Sequence, residues 1–217
     1  NHGYYGLNGP NPNGLPSMFG HFRRAGYGTS AIGKIHCPEY WIEDQCDCFH
    51  ETCHCSIGGR SPEYKAFLQA RGKEHLEDHG CLTEFGDRGH QSVEGRPSPL
   101  TFEESQEGWI AGRTIDFMKQ NADEGRPFLA HASFPRPHQC TSPSEPFWSM
   151  YSEDNLVLPP NADYDMVHKA PHLLRAAERW RTRNWTLFEP HTFEAGRLRK
   201  LHGYLGAVSQ VDHAVGQ

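Results

Sequence analysis

The 217-residue sequence has no apolar run approaching the roughly 20 residues that span a bilayer. Nor does its N-terminal region show the charged-then-apolar layout of a signal peptide. It has no excess of basic charge: 21 Lys and Arg stand against 27 Asp and Glu, a formal net charge of -6 with histidine neutral. The two signs are interspersed, which argues against a nucleic-acid surface. The exceptions, Arg197 to Lys200 and the four arginines between Arg175 and Arg183, are most simply solvated helix faces. No internal repeat is present, which sets aside solenoids and propellers. The cysteines are not an even set: Cys37, Cys46, Cys48, Cys53, Cys55, Cys81 and Cys140 number seven, so at least one thiol has no partner within the chain.

Loop-forming residues are plentiful. With 22 Gly, 16 Pro and a mean hydropathy of -0.74, the profile is that of an enzyme with long surface excursions rather than a compact bundle. The length suits one sizeable domain or part of a larger one. The chain opens on loop-like Asn1-His2-Gly3 and stops at Gln217 within a helical pattern, so it is expected to be cut at both ends. Periplasmic, extracellular and cytoplasmic locations all stay open.

Two α/β units emerge from periodicity. Leu15, Met18, Phe19 and Phe22 have helical spacing over 15–25, Gly26 is a stop, and Thr29–Gly33 reads as a buried strand. Later, Thr101 with Glu104 has capping-box spacing, and Ile110, Thr114, Phe117 and Met118 form one helix face. Phe128–Phe134 then reads as a second buried strand. Between these units, 37–60 reads as irregular, 62–70 as a short helix, and 72–100 as a polar excursion. Further helices are expected over 171–183 and at the C-terminus. There Leu198, Leu201, Leu205, Val208, Asp212 and Val215 form a stripe, and a carboxylate at Asp212 would need a partner if buried.

Each strand is followed by a polar cluster: Lys34 and His36 after the first, and His138, framed by prolines, after the second. Open α/β sheets place their chemistry at the carboxyl ends of strands. A lysine supplies a point charge and histidines move protons near neutral pH, a combination suited to an oxyanion such as sulfate or phosphate. By spacing alone, ordinary surface residues explain the pattern as well. Cys46, Cys48, Cys53 and Cys55 form a C-x-C-x4-C-x-C cluster that zinc could use, although free thiols or disulfides suit its unusual spacing better. His131 reads as a core or sheet-facing histidine.

The sequence from Gly26 to His36 resembles the sulfatase segment with the pattern AGY-T--IGK-H. Pro127 to His138 resembles that family's PFFL--SF--PH stretch, Met150 to Asn161 its MY---D--LPPN stretch, and Tyr204 to Gly216 its V--VD--VG helix. Four stretches in family order cover nearly the whole chain. The resemblance implies an α/β fold of the alkaline-phosphatase superfamily, a mixed sheet flanked by helices, here as the incomplete central portion of one catalytic domain spanning 1–217. Residues 37–100 would be a cysteine-rich and polar insertion. The implied activity is hydrolysis of a sulfate monoester, on a small molecule or carbohydrate, by a formylglycine nucleophile with bound calcium, or magnesium in some relatives. Lys34, His36 and His138 would be catalytic, Lys34 and His138 also binding the sulfate. The nucleophile motif C/S-x-P-S-R and the family's calcium ligands are absent from this sequence, so this chain alone is expected to be inactive. The rivals are a phosphonate or phosphate ester hydrolase of the same superfamily, and a non-catalytic binding protein stabilised by zinc.

Overall fold

A computed structural model of the chain describes residues 17–35, 42–52, 62–76, 95–138, 141–162, 168–182 and 192–217. The regular elements are α1 (Met18–Arg24), β1 (Gly28–Gly33), β2 (Cys48–Glu51), α2 (Pro62–Gln69), α3 (Gln106–Asp123), β3 (Phe128–Ser133), α4 (Pro171–Thr182) and α5 (Phe193–Gly216). Short 3-10 turns occur at Glu43–Gln45, Glu74–Leu76 and Glu153–Asn155. The chain divides into two units, one made of Asn1–Glu77, Phe102–Pro135 and His213–Gln217, the other of Asp78–Thr101 and Arg136–Asp212.

The first unit is built on a three-stranded sheet of order β2-β1-β3, with β1 parallel to both neighbours. All six residues of β1 are buried, as expected for a central parallel strand covered on both faces. One face carries Ala31, which packs with Phe19 of α1 and with Cys46, joined by Phe49 and Leu129. The other carries Ile32 and, in register with it, His50, whose ring meets Trp109 of α3 at 5.8 Å. Trp109 in turn meets Tyr64 of α2, and Ile110, Tyr64 and Leu68 are wholly buried.

Residues 37–60, expected to be irregular, supply β2. Only four residues pair, and half-buried Cys48-Phe49-His50-Glu51 lacks an apolar alternation to announce it. The strand is held by its neighbour, since pairing with β1 satisfies backbone groups that the local sequence would leave free. The helix expected over 15–25 is shorter, beginning after Ser17, whose Oγ accepts the Gly20 N–H at 3.0 Å; Leu15 lies outside the described residues. The cap of α3 is Ser105 rather than Thr101. Its Oγ accepts from Gly108 N–H at 3.2 Å, while the Glu104 carboxylate is held by Lys73 Nζ at 2.6 Å. On α3, Ile110, Thr114 and Phe117 are buried as expected, but Met118 is exposed.

At the amino ends of the strands, Asp47 ties three segments together. Its carboxylate pairs with Arg23 of α1 at 2.8 Å and with Arg126, ahead of β3, at 3.0 Å, and accepts the Thr29 N–H at 3.1 Å. Arg126 also donates to Tyr27 O at 2.8 Å. At the carboxyl ends, Gly33 has φ +108°, and a Cβ there would run into the Ser133 carbonyl oxygen, so only glycine lets β1 lie against β3 at this point.

In the second unit, α5 exists as expected but turns a different face inward. Its buried residues are Gly196, His202, Gly203, Gly206, Ala207, Gln210 and Ala214, and Val208 is exposed. Asp212 is also exposed, so no buried partner is required. The small residues are explained by close backbone approach: a Cβ on Gly203 would collide with the carbonyl oxygen of Thr141 and with Gly95 Cα. Gln210 Oε1 accepts the Ser144 N–H at 2.6 Å, and His202 Nε2 donates to Trp148 O at 2.8 Å while its ring stacks on the indole. The described side chains of α4 are largely exposed, Arg175 among them, in keeping with a solvated face.

Two substitutions test this architecture. Gly203→Val should destabilise the protein by at least about 2 kcal/mol, because backbone rather than a flexible side chain must yield. Asp47→Ala should cost about 1–2 kcal/mol, most of it from the lost Thr29 and Arg126 contacts. Urea midpoints of the two variants against the parent measure both.

Candidate active site

Lys34 stands one residue beyond β1, half-buried. Its N–H donates to Ser133 O at 2.9 Å, and the preceding Gly33 carbonyl accepts the Thr52 N–H at 2.9 Å. The lysine backbone is therefore clamped from both sides at the carboxyl edge of the sheet. Charged substrates meet strand ends at such edges in open α/β folds.

β3 ends at Ser133, beside Gly33 in the register, and the chain continues through Phe134 and buried Pro135. Arg136 is buried, a cis bond joins it to Pro137, and His138 is exposed. Lys34 belongs to the first unit and His138 to the second. The strand from which the His138 loop departs is thus the strand against which Lys34 is pinned. His36 lies outside the described residues, as do Cys37, Cys53, Cys55, Cys81 and Cys140.

The remaining cysteines do not act together. Cys46 is buried among Phe19 and Ala31 on the α1 face, whereas Cys48 is in register with Ser30 and so lies on the α3 face. Both are free thiols. Burial pushes the Cys46 thiol up to about 12, with Cys48 and Asp47 adding to the rise and Arg23 opposing it. Burial likewise raises Cys48, against the pull of Arg113. With their side chains on opposite faces of the sheet, Cys46 and Cys48 do not converge on one point as two ligands of a tetrahedral site must. Among the described residues no group of three or more His, Cys, Asp or Glu could hold a metal ion. The described residues therefore offer no fitting donor set for the calcium expected of the family.

His131, expected to be a core or sheet-facing histidine, is exposed, with its ring 5.9 Å from Phe19. Sequence reasoning passed over Thr52, at the same sheet edge as Lys34. The signal that could have found it was the pairing of β2, which composition hides.

Because only a thiolate is alkylated, a thiol titrating at about 12 has roughly one part in 10⁴ ionised at pH 8. Iodoacetamide at that pH should therefore modify Cys46 at least tenfold more slowly than Cys48, as followed by peptide mass spectrometry.

The comparisons with known proteins agree with this geometry. The family model described as Sulfatase matches residues 1–217. An arylsulfatase of Clostridium perfringens (strain 13 / Type A) is 25% identical over 205 residues, covering 90% of this chain and 40% of that protein. The multifunctional alkaline phosphatase superfamily protein PehA of Trinickia caryophylli is 25% identical over 174 residues, covering 75% and 33%. In structure, the phosphonate monoester hydrolase of Agrobacterium radiobacter superposes with a TM-score of 0.53 at 16% identity, covering 94% of this chain and 43% of that one; at that identity it speaks for the fold alone. The chain spans between a third and two-fifths of the length of the curated relatives it matches. A parallel sheet flanked by helices, a lysine clamped at its carboxyl edge and a family match along the entire length together place this chain in the sulfatase family.

Proposed function

We propose that this chain supplies the oxyanion-gripping part of a sulfate monoester hydrolase, with Lys34, His36 and His138 as its catalytic residues. The observation that carries the reading is the clamping of Lys34 by hydrogen bonds from both sides at the carboxyl edge of the sheet. The Lys34 ammonium would neutralise charge gathering on the sulfuryl oxygens as the ester bond breaks. His138 would bind the sulfate and protonate, or hydrogen-bond strongly to, the departing ester oxygen. His36 would carry the second proton transfer. A formylglycine nucleophile and a calcium or magnesium ion belong to the same reading through the family, but the residues of this chain do not supply them.

The chain would accordingly be the central part of a single catalytic domain, with residues 37–100 as a family-specific elaboration that also contributes a strand. A second reading, hydrolysis of a phosphonate or phosphate ester, draws support from PehA, which is described as multifunctional within the alkaline phosphatase superfamily. Both readings use the same lysine, since either oxyanion presents clustered negative oxygens.

The test is kinetic. In the intact protein, 4-nitrophenyl sulfate should be turned over faster than 4-nitrophenyl phosphate or phenyl phosphonate. Lys34→Ala and His138→Ala should each lower kcat/KM by about 10²-fold or more, and residues 1–217 alone should show no turnover. A preference for the phosphonate would favour the second reading. Undiminished kcat/KM in Lys34→Ala would remove the basis of both.

A further inference from the structure

Residues 168–175 are all exposed, and they run from the approach to α4 into its first turns. Two of them carry large apolar side chains, Leu173 at 42% and Leu174 at 36% exposure. A single exposed leucine is ordinary; here the pair belongs to a face. Leu173 and Leu174 stand four and three positions before half-buried Ala177, so the three share one side of the helix. The row continues in the sequence with Trp180, three positions on. His172, Arg175 and Glu178 follow one another at three-residue spacing and make the opposite, polar side.

The charge of this segment runs against that of the chain. Residues 168–183 hold five basic side chains, Lys169, Arg175, Arg179, Arg181 and Arg183, and one carboxylate, Glu178, for a net +4 with histidine neutral. The whole chain carries -6. Solvation accounts for the arginines, but not for leucines presented to water beside them. α4 has 12 residues, which makes about 18 Å of helix, too short for a hydrocarbon layer of about 30 Å. No described helix is long and apolar enough to cross a membrane. Length and two-sidedness suit a helix that lies in the plane of an interface, with cations on its polar side and Leu or Trp on the other.

We propose that α4 is a docking face for an anionic membrane surface, its leucines entering the headgroup boundary while its cations meet lipid phosphates. Charge complementarity selects this occupant. A second copy meeting α4 through the same face would set +4 against +4. A soluble polyanion would engage the arginines and leave Leu173 and Leu174 in water. An anionic bilayer engages both, because its phosphates lie in a plane directly above an apolar layer. Each cation held near such a surface strengthens binding about fivefold, and burial of the leucines adds to that. The inference is independent of the role given to Lys34.

The experiment is co-sedimentation of the intact protein with vesicles, either phosphatidylcholine alone or phosphatidylcholine with about 30% phosphatidylglycerol. The parent should sediment with the anionic vesicles and not with the neutral ones. Raising salt from about 0.05 M to about 0.5 M should weaken that binding by about tenfold or more. Leu173→Ser/Leu174→Ser should weaken it about tenfold, and Arg175→Glu likewise, both with parent-like melting temperatures. No sedimentation with anionic vesicles in low salt, or equal sedimentation with neutral ones, overturns the proposal. So does undiminished vesicle binding in the serine pair, above all with a lowered melting temperature, since the leucines would then serve packing within the protein. Self-association of the parent in analytical ultracentrifugation that the serine pair abolishes would assign the face to a second copy and overturn it as well. If the serine pair does not fold, Arg175→Glu at its exposed position decides: parent-like binding to the anionic vesicles sinks the proposal.

Discussion

The pairing of β1 with a parallel strand on each side is the interaction on which the rest of the first unit depends. A parallel pair is slightly weaker per residue than an antiparallel one and needs cover on both faces. Here α1 closes one face through Phe19 and Ala31, and α3 closes the other above Ile32 and His50. Once those layers are in place, the two ends of the sheet acquire different characters. The amino end is pinned by Asp47 between two arginines. The carboxyl end keeps Lys34 at a fixed backbone position by bonds to both neighbours.

The Asp47 ion pairs and the proposed oxyanion site thus lie at opposite ends of the strands. The Asp47 cluster joins segments distant in sequence, because Arg126 reaches Tyr27 and Asp47 at once. At the opposite end, Gly33 permits β3 to approach so closely that no side chain would fit between the strands. That approach positions Lys34 beside the strand from which the His138 loop departs. In the second unit a comparable close approach recurs where Gly203 of α5 meets the Thr141 backbone. In both places glycine is used where main chain meets main chain.

Much of this was legible in advance, and the misses have definable causes. Both strands stood out because Ala31-Ile32 and Phe128-Leu129 are short apolar runs preceded by helices and turns, but only β1 is buried as expected; β3 is half-buried with His131 exposed, because it lies at the edge of the described sheet. The position of Lys34 one residue past β1 followed directly, whereas His138 lies five residues beyond β3 and in the second unit. β2 escaped because its four residues carry no periodic signal and are ordered by pairing with β1. α3 is capped by Ser105 rather than Thr101, and the Glu104 carboxylate that a capping box would use is engaged by Lys73, 31 positions away. On α5 the leucine stripe suggested the wrong buried face. Counting apolar residues overlooks a helix that packs through glycine and alanine against a neighbouring backbone.

The sequence by itself determined the order of the helices with β1 and β3, the family pattern and the residue types that follow those two strands. These depend on local periodicity and on motifs read along the chain. Only the tertiary structure decided that Cys46 and Cys48 lie on opposite faces, that Asp47 joins two arginines, and that the Thr52 N–H reaches the Gly33 carbonyl. The physical reason is that register belongs to a pair of strands: a shift of one residue turns every side chain to the other face. Which side chains share a face is therefore fixed when β2 bonds to β1, and not before.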